Sequence, residues 1–238
     1  MSELIYGFNV VTAAVESGYS LLNVRVTADN LDMIKLLKEK RIPFSLVSKE
    51  ELNRLVPLCQ GIMAEIAEFR TYSLNQVAEP KGSPEAKRSL LIVLDGLEDP
   101  HNLGAILRTA EASGSGGIIY PKNRSVKLNS TVAKVSTGSI FNVKCVEVVN
   151  IVATLKKLKD LGYWVVGADA FGKVDYNRMK YDFPTVLVIG SEGKGISRLV
   201  LEECDLVVRI PMVGKINSLN ASVSAGILIY QIKKDQWE

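Results

Sequence analysis

The sequence predicts an α/β protein: a C-terminal parallel-sheet α/β domain over residues 89–238 and a small N-terminal α/β domain over residues 1–78, joined by residues 79–88. Three observations predict it. Near-continuous apolar runs such as Thr185-Val186-Leu187-Val188-Ile189 read as strands covered on both faces, as in parallel sheets. Such runs alternate with helix-length segments, the pattern of βαβ units. The stretch from Glu79 to Arg88 is polar, holds two Pro and one Gly, and lacks apolar periodicity, so it reads as a linker.

Taken in order, Leu4 to Ser17 reads as a helix and Leu22 to Thr27 as a strand. Leu31 to Lys40 follows as a helix, Ile42 to Val47 as a strand, Lys49 to Val56 as a short helix and Ile62 to Ile66 as a strand. This part has no Gly-rich phosphate loop and no acid/base cluster, so a binding role suits it better than catalysis. Beyond the linker, strands are expected near 90–95, 117–120, 143–148, 163–168, 185–190 and 206–210. Helices are expected near 103–113, 129–136, 150–161, 197–203 and 220–234. The last of these carries Ala221, Ser222, Ser224, Ala225 and Gly226 before a run of Ile and Leu, which predicts a closely packed interface with the sheet or with a second subunit.

Composition is that of an ordinary globular protein, 47% apolar and 23% charged. No apolar run approaches the roughly 18 residues that span a bilayer, and the N-terminus lacks a signal-peptide pattern, so a cytoplasmic protein is expected. Cys59, Cys145 and Cys204 are widely spaced in apolar surroundings and read as buried free thiols without metal-ligand spacing. His101 is the only histidine, which disfavours a His-based zinc site or a Ser-His-Asp triad. The net charge of +3 says little by itself. Its distribution says more. Residues 1–88 hold 11 basic and 11 acidic side chains, and no acid lies between Glu111 and Glu147, a span that carries Lys122, Arg124, Lys127, Lys134 and Lys144. Such a stretch suits contact with phosphates, or is a solvated face whose acids lie elsewhere in sequence.

Three expected strands run into polar loops. Leu91-Ile92-Val93-Leu94-Asp95 leads to Gly96 through Gly104 and a helix containing Arg108. Thr185 to Ile189 leads to Gly190-Ser191-Glu192-Gly193-Lys194-Gly195. The strand ending at Ile210 leads through Pro211-Met212-Val213-Gly214-Lys215-Ile216-Asn217 to Ser218-Leu219-Asn220 and the final helix. If these strands are neighbours, the loops meet at the carboxyl edge of one sheet, where α/β proteins bind ligands. The expected site comprises Asn102, Arg108, Glu192, Ser218 and Asn220. The second loop is not a Walker A sequence, because Ile196 stands where its lysine must be, and it does not open a dinucleotide-binding unit. Asn102 is expected to cap the helix that begins near Leu103 and to contact a ligand as well.

These loops resemble the three signature motifs of the SpoU/TrmH family of RNA ribose 2′-O-methyltransferases, within the SPOUT superfamily. The first is Asp99-Pro100-His101-Asn102-Leu103-Gly104-Ala105-Ile106-Leu107-Arg108-Thr109-Ala110; the second runs from Ile189 to Gly195; the third is Ile210-Pro211-Met212 with Ser218 to Ser224. Tyr6-Gly7 and Gln60-Gly61-Ile62 are similar to the substrate-binding domain of bacterial 23S rRNA guanosine 2′-O-methyltransferases.

The resemblance implies a deep trefoil knot in the C-terminal domain, S-adenosyl-L-methionine as cofactor, no metal, and a homodimer with its active site near the subunit interface. It implies cofactor contacts from Gly190, Ile210 and Leu219, with Ser191, Gly193, Met212 and Ser218 beside them and Thr137 and Gly138 bordering the pocket. Arg108 corresponds to the family's proposed catalytic arginine. A guanidinium stays protonated in proteins, so phosphate binding and electrostatic stabilisation of the alkoxide suit it better than proton abstraction. Asn102 and Glu192 would orient Arg108 and the ribose, and Ser218 and Asn220 would shape the cofactor loop and the hydroxyl site. The expected substrate is RNA, a guanosine of large-subunit 23S rRNA foremost. A tRNA ribose 2′-O-methyltransferase, a resistance-type rRNA methyltransferase and a non-catalytic RNA-binding assembly factor of the same fold are the alternatives.

Overall fold

The computed structural model describes residues 2–237, which form two compact units. The first comprises Met1–Arg70 with Lys127–Asn142, the second Thr71–Val126 with Val143–Glu238.

In the first unit the chain runs β1 (Glu3–Tyr6), α1 (Phe8–Glu16), β2 (Leu22–Thr27), α2 (Leu31–Glu39), β3 (Ser45–Val47), α3 (Lys49–Leu55) and β4 (Ile62–Ile66). The sheet order is β1-β4-β2-β3, with β4 antiparallel to both neighbours. The helix expected from Leu4 is instead a strand and then a helix. Gly7 divides them at φ 92°, and its amide bonds the Ile62 carbonyl at 3.2 Å. A side chain there would also meet Lys134 and Gln60. The strand expected from Ile42 begins only at Ser45, because Arg41 turns the chain at φ 56°.

In the second unit β5 (Leu90–Asp95), α4 (Pro100–Ser113) and β6 (Gly117–Pro121) come first. The chain then re-enters the first unit as α5 (Ser130–Val135) and a 3₁₀ turn at Ser139–Phe141. Phe141 stacks there with Tyr19 and Phe69 at centroid distances of 4.8 and 5.7 Å, and Gly138 lies against Ala13 and the Asn9 carbonyl. The return path is β7 (Cys145–Val148), α6 (Ile151–Asp160), β8 (Trp164–Ala168), β9 (Val174–Asp175), β10 (Thr185–Gly190), α7 (Arg198–Leu201), β11 (Leu206–Arg209) and α8 (Ala221–Trp237). The unit changes at Arg70–Thr71 rather than within 79–88. That stretch belongs to the second unit, with Ala86 buried and the Glu79 amide bonded to the Tyr163 hydroxyl.

Seven strands form one parallel sheet in the order β7-β6-β5-β10-β8-β11-β9. The central strands are apolar on both faces because both are covered. Leu91, Val93, Val186 and Val188 pack with α6 residues Leu155 and Leu158 on one side, while α4 and α8 pack together and α8 contacts β10. The C-terminal end of α8 is fastened by buried polar groups. Lys233 donates to the Arg88 carbonyl at 2.9 Å, its pKa lowered by burial, and Gln236 donates to the Ser89 and Phe183 carbonyls.

Cys59 and Cys145 are buried and Cys204 is half-buried. Desolvation pushes the thiols of Cys145 and Cys204 up to about 12. At pH 8 a thiolate fraction of about 10⁻⁴ leaves such groups almost inert. An aromatic disulfide reagent is therefore expected to titrate almost no thiol in native protein and three equivalents after denaturation; rapid native reaction of Cys204 would contradict this.

Candidate active site

The three loops leave strands of the same sheet at its carboxyl edge. β5 and β10 are direct neighbours, with Gly190 opposite Asp95, and β11 is separated from β10 only by β8.

The first loop turns at Gly96, φ 76°, and enters α4 through Asp99 and Pro100. Asp99 is the cap: its carboxylate accepts from the His101 amide at 2.9 Å. Pro100 fits the first helical position because its missing N–H costs nothing there. Asn102 is thus inside the first turn and does not cap the helix, contrary to expectation. It is 3% exposed, and its Nδ2 makes a tertiary bond.

The second loop is a closed turn. Ser191 and Gly195 exchange backbone hydrogen bonds of 3.1 and 3.0 Å. A Cβ on Gly190 would lie 2.2 Å from the Gly195 carbonyl carbon, so only glycine permits the closure. Asp95 Oδ2 accepts from the Ser197 amide at 2.7 Å and ties the far end of this loop to β5.

The third loop, Pro211 to Leu219, makes no backbone hydrogen bond among the described residues. It ends at Asn220, whose Oδ1 accepts from the Ser222 amide at 2.9 Å, the Ser222 hydroxyl at 2.6 Å and the Val223 amide at 3.3 Å. Asn220 therefore has the double duty expected of Asn102: its oxygen caps α8 and its nitrogen reaches outward.

The loops converge on one atom. Glu192 Oε1 accepts from Asn102 Nδ2 at 2.7 Å and from Asn220 Nδ2 at 2.9 Å. A charged acceptor holding two amides is a strong hydrogen-bond centre. Its second oxygen, Oε2, is unengaged among the described residues.

The structure thus brings together Asn102, Glu192 and Asn220. It does not bring Arg108 to them. Six residues carry Arg108 about 240° around the helix from Asn102, and it is exposed with no hydrogen bond or ion pair among the described residues. Ser218 is likewise exposed on the third loop. Gly190, Ser191 and Gly193 lie on the second loop, and half-buried Ile210, Met212 and Leu219 on the third. Thr137 and Gly138 fall in the first unit, at φ 56° and 94°.

A pocket of about 780 Å³ opens beside this cluster, lined by Asn102 and Glu192 and by residues of the loops after β5, β6, β7 and β10. Asp95 and Glu98 line it as well and were not anticipated from sequence, since a lone loop carboxylate carries no periodic or motif signal. Among the described residues no group of His, Cys, Asp and Glu is placed to hold a metal ion, and no helix is long and apolar enough to cross a membrane.

In the first unit Tyr6-Gly7 and Gln60-Gly61 come together. Gln60 Oε1 accepts from the Phe8 amide at 3.2 Å, and the Lys134 ammonium lies 5.3 Å from the Tyr6 ring centroid. Leu58 beside them is 84% exposed at φ 62°.

Comparison with known proteins agrees with this geometry. The profile of the SpoU rRNA Methylase family matches residues 89–230, and that of RNA 2′-O ribose methyltransferase substrate binding matches residues 4–72. A Staphylococcus haemolyticus protein named for the TrmH family of tRNA/rRNA methyltransferases is 43% identical over 235 residues, 96% of this chain and 94% of that one. Two solved structures share the fold. The SpoU methyltransferase AviRb of Streptomyces viridochromogenes, in complex with AdoMet, aligns with a TM-score of 0.85 at 23% identity, over 99% of this chain and 91% of that one. An AdoMet-bound rRNA methyltransferase of Sinorhizobium meliloti aligns with a TM-score of 0.82 at 23% identity, over 98% and 87%. Three motif loops joined at one carboxylate on a parallel sheet, with both profiles matched in order, place this chain in the SpoU (TrmH) family of RNA methyltransferases.

Proposed function

We propose that the protein transfers a methyl group from S-adenosylmethionine to a ribose 2′-hydroxyl of RNA, with a guanosine of large-subunit 23S rRNA as the target, in the cytoplasm. The observation that carries this reading is the double acceptance at Glu192 Oε1, which welds the three motif loops into one site. The loops suit the cofactor. The third has unspent backbone donors and acceptors beside exposed Val213 and Ile216, and the second is shaped by the glycine at 190. Backbone groups of Gly190, Ile210 and Leu219 would hold the cofactor, with Ser191, Gly193, Met212 and Ser218 beside them.

When bound, S-adenosylmethionine supplies a sulfonium methyl group as the electrophile. A ribose hydroxyl must lose its proton as it attacks. Glu192 Oε2 is the open acceptor for the hydroxyl hydrogen, its carboxylate fixed by Asn102 and Asn220. The Arg108 guanidinium binds the adjacent phosphate and stabilises the developing alkoxide. Residues 89–238 carry this reaction. Residues 1–78, with Tyr6, Gln60 and the neighbouring Lys134, engage the RNA.

Arg108 reaches the cluster if a second copy supplies it. On α8, Val223, Tyr230 and Trp237 recur every seven residues and are 50%, 46% and 52% exposed, an apolar stripe suited to a homodimer. Arg108→Ala is expected to lower kcat about 100-fold with cofactor affinity unchanged. Mixing Arg108→Ala with Glu192→Ala subunits is expected to restore part of the activity, because one of the two sites in a heterodimer is then intact. A sedimentation mass of 26.1 kDa, or no rescue on mixing, would refute the shared site.

The function itself is tested with labelled S-adenosylmethionine and separate pools of unmodified rRNA and tRNA, followed by mapping of the 2′-O-methyl mark. Label in 23S rRNA is expected; label in tRNA alone would transfer the activity to tRNA. Cofactor binding without label in either pool would point to an assembling subunit as substrate, and absence of cofactor binding to an RNA-binding assembly factor.

A further inference from the structure

The pocket of about 780 Å³ beside Asn102 and Glu192 has the volume of a ligand site, for which about 300–1,000 Å³ is usual. Its lining is divided by chemistry. Leu97 is a buried apolar wall, while Val149 and Leu199 are 86% and 55% exposed at the same pocket. Isolated exposed apolar residues are common, but two at the lining of one pocket present apolar surface to whatever enters. Of the ionised side chains there, Asp95 is engaged by the Ser197 amide, Asp99 caps α4 and Glu192 holds the two asparagines. Glu98, Arg124 and Lys194 have no partner among the described residues. Arg124 is held by a docked loop: the Val126 amide and the Ser125 hydroxyl both bond the Leu97 carbonyl, at 2.8 and 3.3 Å.

An apolar wall, one free carboxylate and two free cations complement the three parts of a nucleotide: ring face, ring edge and phosphate. RNA bases are read when they are unstacked and laid on side chains with their edges hydrogen-bonded. We propose that this pocket receives the base of the nucleotide whose ribose lies at Glu192, with the ring against Val149 and Leu199, Glu98 accepting from its edge, and Arg124 and Lys194 on flanking phosphates. The inference rests on the RNA methyl-transfer reading and deepens it. A carboxylate is an acceptor only, so it selects edges that donate. Guanine sets two donors, N1–H and N2–H, side by side on its pairing edge and can meet both carboxylate oxygens. Adenine and cytosine offer one exocyclic amine beside an acceptor, and uracil one N–H between two acceptors. The pocket therefore selects guanine.

The test uses the full-length protein and five nucleoside 5′-monophosphates as probes, with binding followed by saturation-transfer NMR and competition. GMP is expected to bind most tightly, IMP, which lacks the N2 amine, about tenfold more weakly, and AMP, CMP and UMP weaker still. Glu98→Gln is expected to erase the preference for GMP over IMP, and Leu199→Asp to weaken all five. Both positions are exposed, so the fold is retained, and circular dichroism checks this. Equal binding of the five probes, or a GMP preference untouched by Glu98→Gln, overturns the proposal. Methyl transfer to 23S rRNA by the same proteins separates the two readings. Wild-type methylation with an unchanged KM in both variants leaves the reaction standing and removes the pocket. GMP selectivity dependent on Glu98, without methylation of any RNA, does the reverse.

Discussion

Glu192→Ala is expected to slow methyl transfer by about 100-fold or more, the scale of loss that a displacement of about 1 Å produces at a reacting centre. The physical reason is that one oxygen does two jobs. Removing it leaves Asn102, 3% exposed, with a buried amide that has lost its acceptor, at a cost of about 1–3 kcal/mol. It also frees Asn220, so the third loop loses its tie to the second. Glu192→Gln separates architecture from charge. A glutamine oxygen can still accept from both asparagines, but the other arm becomes a donor and cannot take a hydroxyl hydrogen. The glutamine variant should keep wild-type thermal stability and cofactor affinity while losing most of kcat; the alanine variant should lose all three. Single-turnover rates with separately measured cofactor affinity decide this. A glutamine variant with full activity would reduce Glu192 to a structural brace.

The second large effect is at Gly190. An added methyl group would lie 2.2 Å from the Gly195 carbonyl carbon and 2.4 Å from the Ile196 nitrogen, both backbone atoms that no rotamer change can move. Gly190→Ala must therefore open the Ser191–Gly195 turn, break its two backbone bonds and displace Glu192 with it. Overpacking of this kind costs about 1–3 kcal/mol. Titration calorimetry is expected to show S-adenosylmethionine affinity lowered at least about tenfold, or about 1.4 kcal/mol. Gly193→Ala is the control. Nothing lies within 4 Å of its Cβ position, so only its φ of 78° is strained and the effect should be small. Equal effects at the two positions would show that turn conformation, not closure, is what binding requires.

Much of the fold was legible because burial leaves a plain mark on the chain. β4, β5 and β10 fall where predominantly apolar runs put them, at Ile62–Ile66, Leu90–Asp95 and Thr185–Gly190. β1 was not legible, because Leu4-Ile5-Tyr6 continues into Phe8, Val10 and Val11 with helix-like spacing, and only the conformation of Gly7 separates them. β9 is two residues long and has no periodicity to read. The start of α4 was readable but misplaced. Asp99-Pro100 is itself a cap followed by a first-turn proline, and Asn102, another capping residue type three positions later, obscures it.

In the site, polar residues clustered on loops after apolar strands pointed to Asn102, Glu192 and Asn220. Their meeting at a single oxygen depends on strand order, which a linear sequence does not display. The same dependence hides the pocket. Glu98, Arg124 and Leu199 are far apart in the chain and become neighbours only once β5, β6 and β10 lie side by side.

The return of residues 127–142 to the first unit has a consequence for how the protein is made. Synthesis proceeds from the N-terminus, and domains generally fold in that order as they emerge. Here the small unit cannot finish first. Tyr19 and Phe69 wait for Phe141, and the groove in front of Ala13 waits for Gly138, until β5, α4 and β6 have left the ribosome. The nascent chain must hold an incomplete aromatic cluster until more than half its length is translated, and the first unit closes only once residues 127–142 have been made.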